Sequence, residues 1–462
     1  MRARKRARTT SPRHALTPDQ RLAAASGAQP LQYVKICSLY GAGFYYMPGT
    51  DTCIKVGGFV RAEVNVNSGG SYSVVTSGDF DSNSFNGLDD WRSRAGVTFD
   101  ARSQTEYGTL RSYFVLASTS DNSQSGSPSG GAGLNSGNPG GAGKNPYTRL
   151  WSNAAFIQFA GFTAGKTGSF FDFDLMPYSN QTNFWGSNLA GGGIEVFAYT
   201  AQFGNGLSAS ISAENPNGHR ISILSAPNGA PSTWVYGNQQ APDVVGNLRI
   251  DQAWGSAQVM GAYHQIIGNS NGGATGVEAT DSGFAFGVGL KLNAPMLGKG
   301  DYAIAQFTYA DGATLYAGSG MANGFALTSN NGATLHQGIA DDATVTGGTS
   351  FDKTKAWSIT AGFEHHWNTQ WKSSLYGAYG KLEYSDAASA ILRPATAAVG
   401  SSANWSYWQV GSRTVWTPVT NLDLSVDVMY NHLDTAWATG TGTYDDKNWV
   451  SGMFRVQRNF YP

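Results

Sequence analysis

Between Asn421 and Asn431 the chain alternates without a break. Leu422, Leu424, Val426, Val428 and Tyr430 share one parity, and Asn421, Asp423, Ser425, Asp427, Met429 and Asn431 share the other. At 100° per residue these apolar positions would scatter round a helix; at 180° they form one wall of a strand. Residues 54–67 repeat the pattern, with Ile54, Val56, Val60, Ala62, Val64 and Val66 opposing Lys55, Phe59, Arg61, Glu63 and Asn65. Trp91, Ala95, Val97 and Phe99 likewise oppose Arg92, Arg94, Thr98, Asp100 and Arg102.

Sixteen such segments are predicted. They lie near 54–67, 91–102, 105–117, 152–161, 162–168, 193–203, 206–213, 242–252, 254–266, 282–293, 300–310, 355–367, 370–383, 405–418, 420–432 and 448–460. Short turns (Ser103-Gln104, Gly204-Asn205, Ala253, Asn368-Thr369, Val419) alternate with long Gly/Ser/Asn-rich connections over 118–151, 214–241, 311–354 and 384–404. A soluble sandwich has no reason to gather its long loops at one end, whereas a transmembrane barrel does. Closure also leaves no unpaired edge in hydrocarbon. The expected fold is therefore all-β: a 16-stranded antiparallel transmembrane barrel over residues 54–460. Trp91, Trp151, Trp254, Trp367, Trp371, Trp405, Trp416 and Trp449 fall near strand ends, where an aromatic girdle belongs.

Composition narrows the alternatives. Among 462 residues, 13% are charged, 13% are aromatic and 60 are Gly. So many aromatics with so little charge exclude a wholly disordered chain. Mean hydropathy is negative, and the chain lacks the roughly 20 continuous apolar residues of a spanning helix. Residues 1–30 carry seven basic side chains and one acid, leaving the remainder at −7 of the net −1. This head has no aromatic residue or motif for nucleic acid, and no apolar segment follows it as in an export signal. It is read as unstructured and outside the fold, with a mis-assigned start or a signal lying elsewhere. Residues 31–53 form a separate N-terminal segment. Its Cys37 and Cys53, sixteen positions apart across turn-forming residues, suit one disulfide; two unrelated buried thiols are the alternative.

Val34-Lys35-Ile36-Cys37 and the run from Tyr40 through Met47-Pro48-Gly49-Thr50-Asp51-Thr52-Cys53 resemble the alphaproteobacterial general porin family. The resemblance continues through Ile54–Glu63, Trp91-Arg92-Ser93-Arg94, Phe99–Ser103, Glu106–Tyr113, and Ala155–Phe162 with Gly165-Lys166. It implies an outer-membrane channel, homotrimeric, with short periplasmic turns and long external loops, passing ions and small hydrophilic solutes by diffusion. It also implies contact with outer-membrane lipid and lipopolysaccharide. A terminal aromatic read by the outer-membrane assembly machinery matches Phe460, which Tyr461 and Pro462 follow.

In that family the third long loop folds into the lumen. The matching stretch, 169–192, begins Ser169-Phe170-Phe171-Asp172-Phe173-Asp174. Its Phe residues are expected to pin the loop to the wall and leave Asp172 and Asp174 in the pore. Arg61, Arg92, Arg94, Arg102 and Arg111 share the inward parity of the first three strands and are expected to face those acids across a constriction. The alternative is that these arginines pair with the inward acids Glu63 and Asp100.

Enzyme readings are weaker. Asp172-Phe173-Asp174 lacks a nucleotide-binding fold around it. Glu364-His365-His366 places adjacent histidines on opposite faces of a strand, short of the converging ligands a zinc site needs. No nucleophile elbow, P-loop or dinucleotide fingerprint is present, so neither a catalytic residue nor a cofactor is expected. An adhesin or receptor with binding loops, or a barrel enzyme with a plugged lumen, is the alternative to a channel.

Overall fold

The computed structural model describes residues 35–66, 77–79, 89–121, 147–174, 176–178, 186–187, 193–226, 234–270, 277–318, 325–328, 335–437 and 444–460. The predicted basic head therefore lies outside the described residues. The wall begins with β1 (Cys53–Val66), β2 (Asp89–Thr105), β3 (Gly108–Asp121) and β4, which comes in two pieces, Tyr147–Trp151 and Ala155–Phe159. It continues with β5 (Phe162–Thr167), β6 (Ile194–Gly204), β7 (Leu207–Glu214), β8 (Asp243–Gln252), β9 (Gly255–Ser270) and β10 (Glu278–Asn293). The circuit is completed by β11 (Tyr302–Asp311), β12 (Lys355–His366), β13 (Trp371–Glu383), β14 (Trp405–Val419), β15 (Leu422–Asp434) and β16 (Lys447–Asn459). Every strand pairs antiparallel with its sequence neighbour, and β16 pairs with β1 in the register Arg455↔Glu63. All sixteen predicted segments are present.

Predicted turns shift: Gly204 and Val419 end their strands, so those turns fall at Asn205-Gly206 and Thr420-Asn421. The β2–β3 hairpin closes at Glu106-Tyr107, not at Ser103-Gln104, because Gly108 supplies a φ of 110° and Thr105 Oγ1 accepts the Tyr107 N–H at 3.2 Å. Left-handed φ is cheap for Gly and tolerable for Asn; Asn205 (φ 48°) and Asn421 (φ 68°) use it in the β6–β7 and β14–β15 turns.

The two parities separate as predicted. Val60, Val97, Leu116, Phe197, Ile211 and Val426 are exposed on the outside, while Asn65, Thr308, Asp427 and Asn431 are shut away inside. The girdle is partly corrected. Trp91, Trp254, Trp367, Trp371 and Trp416 are exposed, but Trp405 and Trp449 are buried, and Trp151 donates to Thr119 Oγ1 at 2.7 Å. Their odd-numbered positions share the inward parity of their strands, so these three rings serve the interior.

The main apolar cluster lies between the wall and loops folded into it, joining Phe171 and Met176 to Leu315, Tyr316, Trp405 and Trp437. Helix α1 (Asp386–Leu392) contributes Ala388 and Leu392 to it, with Ser385 Oγ capping the Ala388 N–H at 3.1 Å. At the start of the described residues Lys35–Ile36 pairs with Tyr45–Tyr46, which in turn pairs with β1. A Cys37–Cys53 disulfide, Cα–Cα 6.0 Å, joins this segment to the barrel; two separate thiols are excluded.

Candidate functional site

The described residues of the β5–β6 connection, 168–174, 176–178 and 186–187, lie on the inner side of the barrel. Glu214, at the end of β7, fixes its start: Oε2 accepts from Ser169 Oγ at 2.6 Å and Oε1 from the Phe170 N–H at 2.8 Å. From there the loop follows the inner wall. Asn247 Nδ2 donates to Phe170 O at 2.6 Å, Gln258 Nε2 to Asp172 O at 3.0 Å, and Ser374 Oγ to Pro177 O at 2.6 Å. Phe171 is fully buried against Tyr316, with ring centroids 4.8 Å apart. Phe173 lies flat on Gly289, where a Cβ would fall 2.4 Å from the ring. The pinning role expected of these Phe residues is thus what the structure has.

The two loop acids differ. Asp174 meets Arg249 of β8 at 3.0 Å and Lys291 of β10 at 3.4 Å. Asp172 lines a cleft of about 280 Å³ between loop and wall. Its carboxyl group is buried beside Ser187 and Glu214. Burial, and then the neighbouring Glu214 carboxylate, push its pKa up to about 8, so Asp172 is neutral at pH 7.

The predicted arginines are brought together by register. Arg92 and Arg455 each face Glu63 directly, on β2 and β16. Arg92 Nε donates to Glu63 Oε2 at 2.7 Å, Arg455 Nε lies 2.7 Å from Oε1, and Arg61 Nη1 lies 3.4 Å from Oε1. Arg102 and Arg111 are cross-strand partners, an arrangement that repels. Both turn onto Asp100, with Nη2 at 2.7 and 3.0 Å from Oδ2. The Arg94 guanidinium lies 5.4 Å from the Trp151 ring centroid. Among the described side chains, Glu63 and Asp100 thus serve five arginines. Among the described residues, the loop acids and these arginines form no ion pair with each other.

Arg249, Lys291 and Arg455 were not singled out from the sequence, although the period-2 count puts all three on the inward parity. The longer connections add a second layer that period-2 reading cannot reach. Tyr316, between β11 and β12, donates to Asp243 Oδ2 at 2.8 Å, and Asp243 also meets His264 at 2.8 Å. Tyr236 donates to Asp342 Oδ2 at 2.6 Å. Burial lowers the pKa of His219, stacked on Tyr316 at 3.9 Å, to about 4; it raises that of Asp341 to about 7. Near the other end, Asp301 Oδ2 meets His365 Nδ1 at 2.5 Å while its Oδ1 accepts the His366 N–H at 2.8 Å. Phe460 packs over Gly58 and donates its N–H to Gly58 O at 2.9 Å.

A closed antiparallel barrel, apolar outside and charged within, with described residues of its third long loop bound along the inner wall, defines a transmembrane β-barrel. The family model described as "Porin subfamily" matches residues 23–455, and the chain belongs to that family. Porin Omp2b of Brucella canis is 29% identical over 264 residues, covering 53% of this chain and 64% of that protein. Omp2b of Brucella melitensis is 28% identical over the same length. The chain thus spans less than two thirds, 64%, of the curated relatives it matches. The outer membrane channel DcaP of Acinetobacter baumannii shares the fold, with TM-score 0.58 at 15% identity, covering 90% of this chain and 99% of that one. The location that follows from the family is the Gram-negative outer membrane.

Proposed function

We propose that the protein is a porin, a water-filled channel passing ions and small hydrophilic solutes across the outer membrane by passive diffusion. The observation that carries this reading is the inward loop held along a polar, charged inner wall, in a chain that belongs to the porin family. A sixteen-stranded barrel is wide enough to hold water rather than a packed core, so the loop and wall charges set what passes. Asp172, Asp174, Arg61, Arg92, Arg94, Arg102 and Arg111 line this constriction, joined by Arg249, Lys291 and Arg455. Family membership speaks for a channel rather than an enzyme.

Partners follow from the wall. β5 has six residues and the lower piece of β4 five, against about 9–11 for a strand crossing the bilayer core. This low wall carries exposed Ile157, Phe162 and Phe197 and suits burial against further copies, consistent with a homotrimer. The remaining outward face meets membrane lipid and lipopolysaccharide, and Phe460 is offered to the assembly machinery. Liposome swelling tests the function. Vesicles holding the protein become leaky to small sugars with a sharp size limit, and tight vesicles would refute the channel.

A further inference from the structure

The inner wall changes chemistry between β3 and β7. Where the first three strands turn Arg inward, the inward parity of β7 reads Ser208, Ser210 and Ser212, and Thr200 faces Ser210 from β6. Thr200, Ser208 and Ser210, with Thr167 of β5 and Asn247 of β8, form the wall side of the cleft of about 280 Å³ beside the third long loop. Phe170 lines it from the loop. The volume falls just below the roughly 300–1,000 Å³ of small-molecule sites, which suits a single sugar ring and not a chain of them.

The charges here are already answered. The Arg249 guanidinium meets Asp174 at 3.0 Å and Asp251 at 2.9 Å, and Asp172 is neutral at pH 7. What stays open is uncharged hydrogen-bonding capacity. Thr200 Oγ1 and Ser210 Oγ lie 2.9 Å apart, so one donates to the other and the pair keeps one O–H. Ser208 Oγ and Thr167 Oγ1 have no hydrogen-bond partner among the described residues. Asn247 commits Nδ2 to Phe170 O at 2.6 Å, which leaves Oδ1 to accept. Gln158, held by Arg111 Nη1 at 3.0 Å and Thr163 Oγ1 at 3.3 Å, fixes the adjoining wall, so binding has little left to order.

Each open hydroxyl both donates and accepts, so the partner that satisfies the set carries hydroxyls itself. An anion would find the guanidinium taken, and a hydrocarbon would strand the hydroxyls at a cost. The negative face of an aromatic ring such as Phe170 is also where the C–H side of a sugar packs. We propose that the cleft between Phe170 and the Thr200, Ser208 and Ser210 wall is a saturable binding site for one neutral monosaccharide. This rests on the diffusion-channel reading and adds to it a stopping place for sugars along the path.

Two measurements on the refolded full chain test it. Saturation-transfer NMR in detergent with D-glucose reads binding without a channel; glucose added to KCl in planar bilayers reads it as current noise. Both signals should saturate in the millimolar range, with gluconate weaker than glucose. S208A and the T200V/S210A double variant should each weaken binding about three- to tenfold. S425A, which removes a buried inward hydroxyl on β15, should change nothing. A glucose signal that never saturates overturns the site, as does parent-like affinity in both S208A and the double variant. Tighter binding of gluconate, or an equal loss in S425A, overturns it too. Silence in KCl would refute the channel and leave the detergent titration to decide the cleft; steady conductance without glucose binding would refute the cleft alone. If a variant fails to fold, as judged by circular dichroism, the parent's saturation and its preference for glucose over gluconate still decide.

Discussion

Arg455 and Glu63 face each other as register partners across the seam at which β16 closes on β1, with Nε 2.7 Å from Oε1. Arg92 presses on the same carboxylate from β2, and Arg61 approaches from within β1. Glu63→Gln removes the one negative charge these three guanidinium groups share. Losing one member of a buried pair costs about 3–5 kcal/mol; the retained amide and lumenal water reduce this to about 2 kcal/mol. The expected result is a lower urea midpoint and a reversal potential shifted toward anions in a KCl gradient. An unchanged potential would place the cluster off the ion path.

Asp174 lies between Arg249 and Lys291, so its charge is answered from its own side of the lumen. Asp174→Asn should take this partner from Lys291, leave Arg249 with Asp251, and lower cation preference in planar-bilayer reversal potentials. Arg249→Gln should act in the opposite direction. Because the groups touch, the double variant should depart from the sum of the single effects. Strict additivity would mean that the ion pair does not form in the open channel.

Asp172 behaves differently because its pKa is raised to about 8 by burial. The folded chain therefore holds this proton more tightly than the unfolded one, whose Asp titrates near 3.9. Its contribution to anchoring the loop is complete below about pH 3.9 and is lost as pH climbs toward 8. Single-channel records taken from pH 6 to 9 should show more frequent closures and noise as pH rises, and D172N should be flat. A transition that survives in D172N would assign it to another group. At pH 7, D172N should leave ion preference unchanged, which separates it from D174N.

Much of this was legible from alternation alone. Period 2 places Arg61, Arg92 and Arg111 inside because a strand's faces are set by residue count, whatever the tertiary partners. The turn at Gly108 was missed by three residues because the alternation runs on through Ser103–Thr105 and only the glycine's backbone ends it. Trp405 and Trp449 were assigned to the girdle by position along the strand, although their parity points inward. What parity cannot reveal is pairing at a distance. Nothing near Asp174 in the chain announces Arg249, which arrives 75 positions later. The buried layer of Tyr316, Asp243 and His264 is hidden for the same reason, since it depends on where a long connection comes to rest.

Gly58 lies where β1, β2 and Phe460 meet. A Cβ there would lie 2.2 Å from the Gly96 carbonyl oxygen and 2.3 Å from the Phe460 ring, while the Phe460 N–H already binds Gly58 O. Gly58→Ala must displace both the β1–β2 ladder and the terminal ring, and overpacking of this kind costs about 1–3 kcal/mol. Refolding into detergent, followed by the difference in gel mobility between heated and unheated samples, should be slower and less complete. Phe460→Ala removes the ring clash but leaves the carbonyl contact, so the G58A/F460A double variant should recover only part of the rate. Full recovery would mean that the ring alone sets the barrier, and no defect in G58A would mean that the seam closes by another register.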